Sequence, residues 1–74
     1  MYTLDLHGYT YEEAGREVER FINTNWGSGD ARIVTGHSRL MRGVVVSVLK
    51  KYKVTYTIGD VLQTTKAYIV VNLD

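Results

Sequence analysis

The sequence predicts an α+β fold, an α/β two-layer sandwich of order β-α-β-α-β-β in which two helices cover one face of a four-stranded mixed sheet. Segments with the two-residue alternation of strands recur at 2–8, 31–35, 54–58 and 67–73. The stretches 11–25 and 38–52 instead carry apolar residues at three- and four-residue steps. This strand–helix order occurs twice in succession. Two right-handed crossovers then put both helices on one side of the sheet and leave the other side partly open.

The first strand centres on Leu4-Asp5-Leu6-His7-Gly8. Alternation sends Tyr2, Leu4 and Leu6 to the core and puts Thr3, Asp5 and His7 on the opposite face. Asp5 and His7 are then roughly 7 Å apart along the strand, within reach of coupling through rotamers or a water. A carboxylate beside an imidazole fixes its tautomer and suits it to general acid–base work. The same pair read without function is a surface salt bridge, or a histidine held by backbone at a turn. Asp5 and His7 belong either on the open face or at the strand's carboxyl end, where ligands of α/β sheets bind.

The first helix starts after Thr10, which with Glu13 makes a capping box. Tyr11, Ala14, Val18, Phe21, Ile22 and Asn25 form its inner stripe, and Glu12, Arg16, Glu17, Glu19 and Arg20 its wet side. Gly15 costs about 1 kcal/mol in a helix interior, which suggests close packing against a neighbour. The helix ends in Asn23-Thr24-Asn25, and Trp26-Gly27-Ser28-Gly29-Asp30 turns the chain, with Trp26 expected over the core edge rather than on a nucleobase. Ala31–Thr35 is the second strand. It ends in Gly36-His37-Ser38-Arg39, where Ser38 is the N-cap of the next helix. A strand that ends in a glycine loop and opens a helix can hold phosphate on free N–H groups, or can be an ordinary turn.

The segment 38–52 has strand propensity at Val44-Val45-Val46, yet Met41, Val44, Val45, Val48, Leu49 and Tyr52 keep helical spacing over a length too great for an ordinary strand. It is read as a helix with a basic stripe of Arg39, Arg42, Lys50 and Lys53. Val54–Ile58 is the third strand, Gly59-Asp60 a turn, and Asp60 to Lys66 a loop. Ala67–Leu73 is the last strand, with Ala67, Ile69, Val71 and Leu73 inward. Its nearly continuous apolar run suggests a central place in the sheet.

The chain has 74 residues, enough for one domain over 1–74. At 45% hydrophobic residues it is too apolar to be disordered, and no run approaches the ~18 residues of a membrane span. No export signal is visible, and the expected location is cytoplasmic. Cysteine is absent, which excludes a disulfide framework and a thiolate nucleophile. The net charge of +1 hides an asymmetry: residues 1–30 hold six acids and two arginines, whereas 31–59 hold six bases and no acid. That basic block hints at a polyanion partner.

Leu4-Asp5-Leu6-His7-Gly8 before a capped helix, followed by Ile33-Val34-Thr35-Gly36 leading into a basic helix, resembles the Smr (small MutS-related) domain from Leu4 to Leu73. Smr domains usually show Thr or His followed by Gly-x-Gly; here Thr35-Gly36 runs directly into His37-Ser38 and the second glycine is missing. The resemblance implies a sandwich similar to the C-terminal domain of translation initiation factor three. It also implies nucleic-acid binding often joined to endonuclease activity on DNA or RNA. It maps the residues linked to cleavage onto Asp5 and His7, and the glycine motif onto Gly36. Relatives mostly carry the domain at the end of a longer protein, so a protein partner or homo-oligomer could supply targeting.

Phosphodiester cleavage needs an activated nucleophile, in-line geometry and positive charge at the phosphoryl oxygens. His7 is the candidate acid or base and Asp5 its orienter. Gly36, His37, Ser38, Arg39, Arg42, Lys50 and Lys53 are the candidate nucleic-acid contacts. The acids are too scattered for a two-metal site, which leaves room for one divalent metal on Asp5 and calls for no cofactor with certainty. Attack by a ribose 2′-OH is the chemistry accessible without a metal. The rival functions are a non-catalytic DNA- or RNA-binding module using Tyr9 or Tyr68 on bases, and a protein-interaction adaptor pairing at a strand edge.

Overall fold

The first helix begins where Thr10 stops the extended chain. The Thr10 hydroxyl accepts from the Glu13 N–H at 3.1 Å, and Glu13 Oε1 accepts from the Thr10 N–H at 2.9 Å, so two of the helix's orphan donors are satisfied reciprocally. In the computed structural model, which describes residues 2–59 and 67–74, α1 runs Tyr11–Thr24 from that box to an Asn25 cap. It follows β1 (Tyr2–Asp5) and leads to β2 (Asp30–Val34). Ser38 opens α2 (Arg39–Lys51) by accepting from the Met41 N–H at 3.1 Å, and β3 (Thr55–Ile58) and β4 (Tyr68–Asn72) complete the order β-α-β-α-β-β. The helical reading of the valine-rich stretch holds: Met41, Val45, Val48 and Leu49 are buried on one face.

The sheet order is β1-β2-β4-β3. β1 and β2 are parallel, while β4 is antiparallel to both β2 and β3. Both crossovers step the same way across the sheet, so with a common hand both helices lie on one face. The register stacks Leu4, Ile33, Ile69 and Ile58 in a row facing the helices, and Thr3, Arg32, Val70 and Thr57 in a row on the open side. Ala14, Val18 and Ile22 of α1 join that inner face, and each Val, Leu or Ile buried there contributes about 1.5–3 kcal/mol. β4, flanked on both sides, is the central strand its apolar run suggested.

Several expectations fail. β1 ends at Asp5, so His7 lies in a turn rather than on the strand's open face. Tyr2 and Tyr11 are exposed instead of packed inward. Trp26 is 58% exposed and does not cover the core edge; its turn is tied by the Gly27 N–H to the Leu73 carbonyl, beyond the end of β4. The expected loop from Asp60 to Lys66 lies outside the described residues.

Gly15 does face α2, with room to spare: a Cβ there would stand 3.8 Å from Val44 Cγ1, an ordinary van der Waals contact. Gly15→Ala is therefore expected to stabilise the protein by up to about 1 kcal/mol, a Tm gain of roughly 4–8 °C in thermal unfolding. The Thr10 N–H, with the Thr10 hydroxyl acting in the same direction, holds the Glu13 carboxyl below the usual glutamate range. A folded value below the unfolded one gives stability that is present above about pH 4.3 and lost as the pH falls through the lowered value. The Tm gap between wild type and Glu13→Gln should thus be open at neutral pH and close as wild type is acidified below about pH 4.

Candidate functional site

Parallel pairing of β1 and β2 brings their carboxyl ends side by side. The ladder runs one bond past β1, from the Leu6 N–H to the Val34 carbonyl at 3.0 Å, and buries Leu6. The chain then reverses: the Tyr9 N–H donates to the Leu6 carbonyl at 3.2 Å, and Gly8 adopts φ 88°. A Cβ on Gly8 would meet nothing within 4 Å, so the left-handed backbone, not crowding, selects glycine. Asp5 Oδ1 accepts from the His7 main-chain N–H at 2.9 Å. The carboxylate thus braces the turn that presents His7 and does not hold its ring, contrary to the pairing expected from strand geometry.

On the neighbouring strand Thr35 is buried, its hydroxyl set against the carbonyls of Gly36 (2.9 Å) and Ala67 (3.3 Å). The Ala67 carbonyl also accepts from the N–H groups of both Thr35, at 2.8 Å, and Gly36, at 2.9 Å. The Gly36 amide is therefore committed to the residue preceding β4, and the anion cradle expected there loses that donor. Gly36, at φ 65°, instead bends the chain toward Ser38. The positive end of α2 faces no acid in its own first turn, whereas the first turn of α1 carries Glu12 and Glu13. Of the two helix N-termini, α2 presents the uncompensated one.

These two loops enclose a cleft of about 510 Å³ lined by Leu6, His7, Gly8, Tyr9, Thr10, Tyr11, Thr35, Ser38 and Met41. It lies within the size range of ligand sites. Of the nine site residues read from the sequence, His7 and Ser38 line it. Asp5 stands behind the His7 turn, and Gly36 and His37 form the loop leading to Ser38. Arg39 is exposed as the first residue of α2. Arg39, Arg42 and Lys50 fall within about 80° of one another around α2, but Lys50 is about 16 Å along the axis from Arg39. Lys53 has left the helix at φ 58°. Lys50 and Lys51 close the last turn of α2, where they offset the dipole, and Lys51 Nζ is 3.2 Å from Glu19 Oε1 on α1. The stripe follows the helix away from the cleft instead of converging on it.

One cleft residue escaped its sequence reading. Tyr11 keeps helical phase with Ala14 and Val18, yet at the first helical position it projects past the core and is 49% exposed. Tyr9, 40% exposed, lines the same cleft. The available signal was the pair of aromatics flanking an N-cap, at the turn that carries His7. Among the described residues no three His, Asp or Glu side chains are grouped as for a metal ion, and no helix is long and apolar enough to cross a membrane.

A family model described as the Smr domain matches residues 4–73. It describes a nucleic-acid-binding and endonuclease-type family. None of the curated proteins compared with the chain matches it.

If Asp5 acts on the turn through the His7 N–H, Asp5→Ala should speed hydrogen exchange of that amide by up to about tenfold, the worth of one hydrogen bond. Asp5→Asn, which keeps an acceptor oxygen, should leave exchange near the wild-type rate in the same NMR measurement.

Proposed function

Because the chain belongs to the Smr domain family, with residues 4–73 matched, we propose that it binds nucleic acid at this cleft and cuts RNA there, with His7 as the acid–base group. The observation that carries the reading is the juxtaposition of the His7 turn and Ser38, the cap of α2's uncompensated N-terminus, in one cleft. A phosphate seated at that end of α2 meets the helix dipole and the Arg39 guanidinium, which has no partner among the described residues. Both would stabilise charge developing on the phosphoryl oxygens.

His7 takes the proton of a ribose 2′-OH as its oxygen attacks the adjacent phosphorus. The P–O5′ bond breaks, leaving a 2′,3′-cyclic phosphate on one fragment and a 5′-oxygen on the other that takes a proton from water, while the His7 imidazolium returns its proton to solvent. Proton transfer by a placed imidazole supplies about 10²–10⁴-fold of the acceleration. Asp5 is a positioning residue, since it touches the backbone of His7 and not the reacting atoms. Arg42, Lys50 and Lys53 carry the strand onward along α2 and add affinity rather than chemistry. One observation favours a second reading, a module that binds without cutting: the Ala67 carbonyl occupies the Gly36 amide that a phosphate cradle would use.

Labelled single-stranded RNA, double-stranded RNA and supercoiled DNA, each incubated with EDTA, Mg²⁺ or Mn²⁺, separate these readings. RNA cleavage in EDTA is expected, slowed at least about 100-fold in His7→Ala with binding unchanged. Arg39→Ala should weaken binding and lower the slope of log affinity against log salt by about 1. Cleavage that survives His7→Ala would overturn the mechanism, and binding without product would establish the non-cutting module.

A further inference from the structure

Tyr9 and Tyr11 flank Thr10, whose backbone is extended (φ −70°, ψ 165°) and whose side chain is fixed in the capping box. In an extended segment residues two apart point to the same side, and both tyrosines line the cleft beside His7. The segment is held at both ends, by the Tyr9–Leu6 bond and by the Thr10–Glu13 bonds. Its rings are therefore presented by a rigid support. Two other aromatic rings are already occupied, Tyr68 by the Arg32 guanidinium 4.8 Å from its centroid and Tyr52 by Lys51 Nζ at 5.7 Å. Among the described residues, neither Tyr9 nor Tyr11 has a cation over its ring or a hydrogen bond to its hydroxyl.

We infer that Tyr9 and Tyr11 form a stacking platform for an unpaired nucleobase, so that the cleft selects single-stranded or bulged nucleic acid over duplex. The inference rests on the cleft being a nucleic-acid site. A base inside a duplex keeps both faces stacked on its neighbours and cannot offer one to a tyrosine, whereas an unpaired base can. The occupant follows from position: an aromatic surface adjoins the uncompensated N-terminus of α2 and Arg39, so one ligand with a flat ring and an attached phosphate fits both. Among the described residues the open sheet face offers no equivalent, since Asp5 and Asp30 stand there against Arg32 and Tyr68 is taken. Stacking beside His7 also places the scissile phosphate next to the unpaired nucleotide.

The test uses a short single-stranded RNA containing 2-aminopurine and the matching duplex, with wild type, a Tyr9→Ala/Tyr11→Ala pair and a Tyr9→Phe/Tyr11→Phe pair. Circular dichroism melts confirm that each is folded. Wild type should quench 2-aminopurine emission on binding and prefer the single strand. The alanine pair should lose roughly 5- to 150-fold in single-strand affinity, the cost of one lost stack, with duplex affinity unchanged. The phenylalanine pair, which keeps its rings, should behave as wild type. Wild-type binding with no quenching and no preference for single strands, or an alanine pair that binds single strands as tightly as wild type, would overturn this inference and leave the nucleic-acid reading standing. Failure of wild type to bind either RNA would overturn both.

Discussion

The parallel pairing of β1 with β2 is the constraint on which the rest of the molecule depends. Parallel neighbours need a crossover, and α1 supplies it. They also end at the same edge of the sheet, so the residues that follow them are forced together although some thirty positions apart in sequence. The His7 turn and the Ser38 cap meet for that reason. An antiparallel pairing would have sent them to opposite edges, and no choice of side chains could have built the cleft.

Local chemistry was legible in the sequence wherever it was self-contained. Thr10 and Glu13 make their box within one turn of helix, Ser38 caps within three residues, and the periodicity of Met41, Val45, Val48 and Leu49 outweighs the strand propensity of the valines. Legibility failed where a polar group had competing partners. Alternation carries the first strand on to His7, but the Leu6 carbonyl takes the Tyr9 N–H and the Gly36 N–H goes to the Ala67 carbonyl, so the bond that would have extended the ladder is not made. Sequence leaves the Gly36 loop open between a phosphate cradle and an ordinary turn, because the partner that takes its amide, the Ala67 carbonyl, is 31 residues away. Tyr11 was assigned to the core by phase alone, and phase says nothing about where a helix overruns the sheet beneath it.

The charge asymmetry of the sequence acquires a spatial meaning in the fold. The acids cluster on α1 and the bases on α2, and the two helices lie side by side on the same layer. Exposed pairs such as Arg16–Glu12 add little stability. The separation shapes the field around the helical layer, negative over α1 and positive along α2, so a polyanion is favoured over α2 and disfavoured over α1.

β4 lies inside the sheet but follows the other five described elements in the chain. As the polypeptide leaves the ribosome, β1, β2 and the two helices are exposed before the strand that joins β2 to β3 exists. Ile69, Val71 and Leu73, all fully buried, are the last of the described core residues to arrive. Until they do, β2 has a bare edge and β3 has no neighbour. Sheet closure is therefore a late and non-local event, the step at which such a chain folds slowly and can instead pair with a second copy of itself.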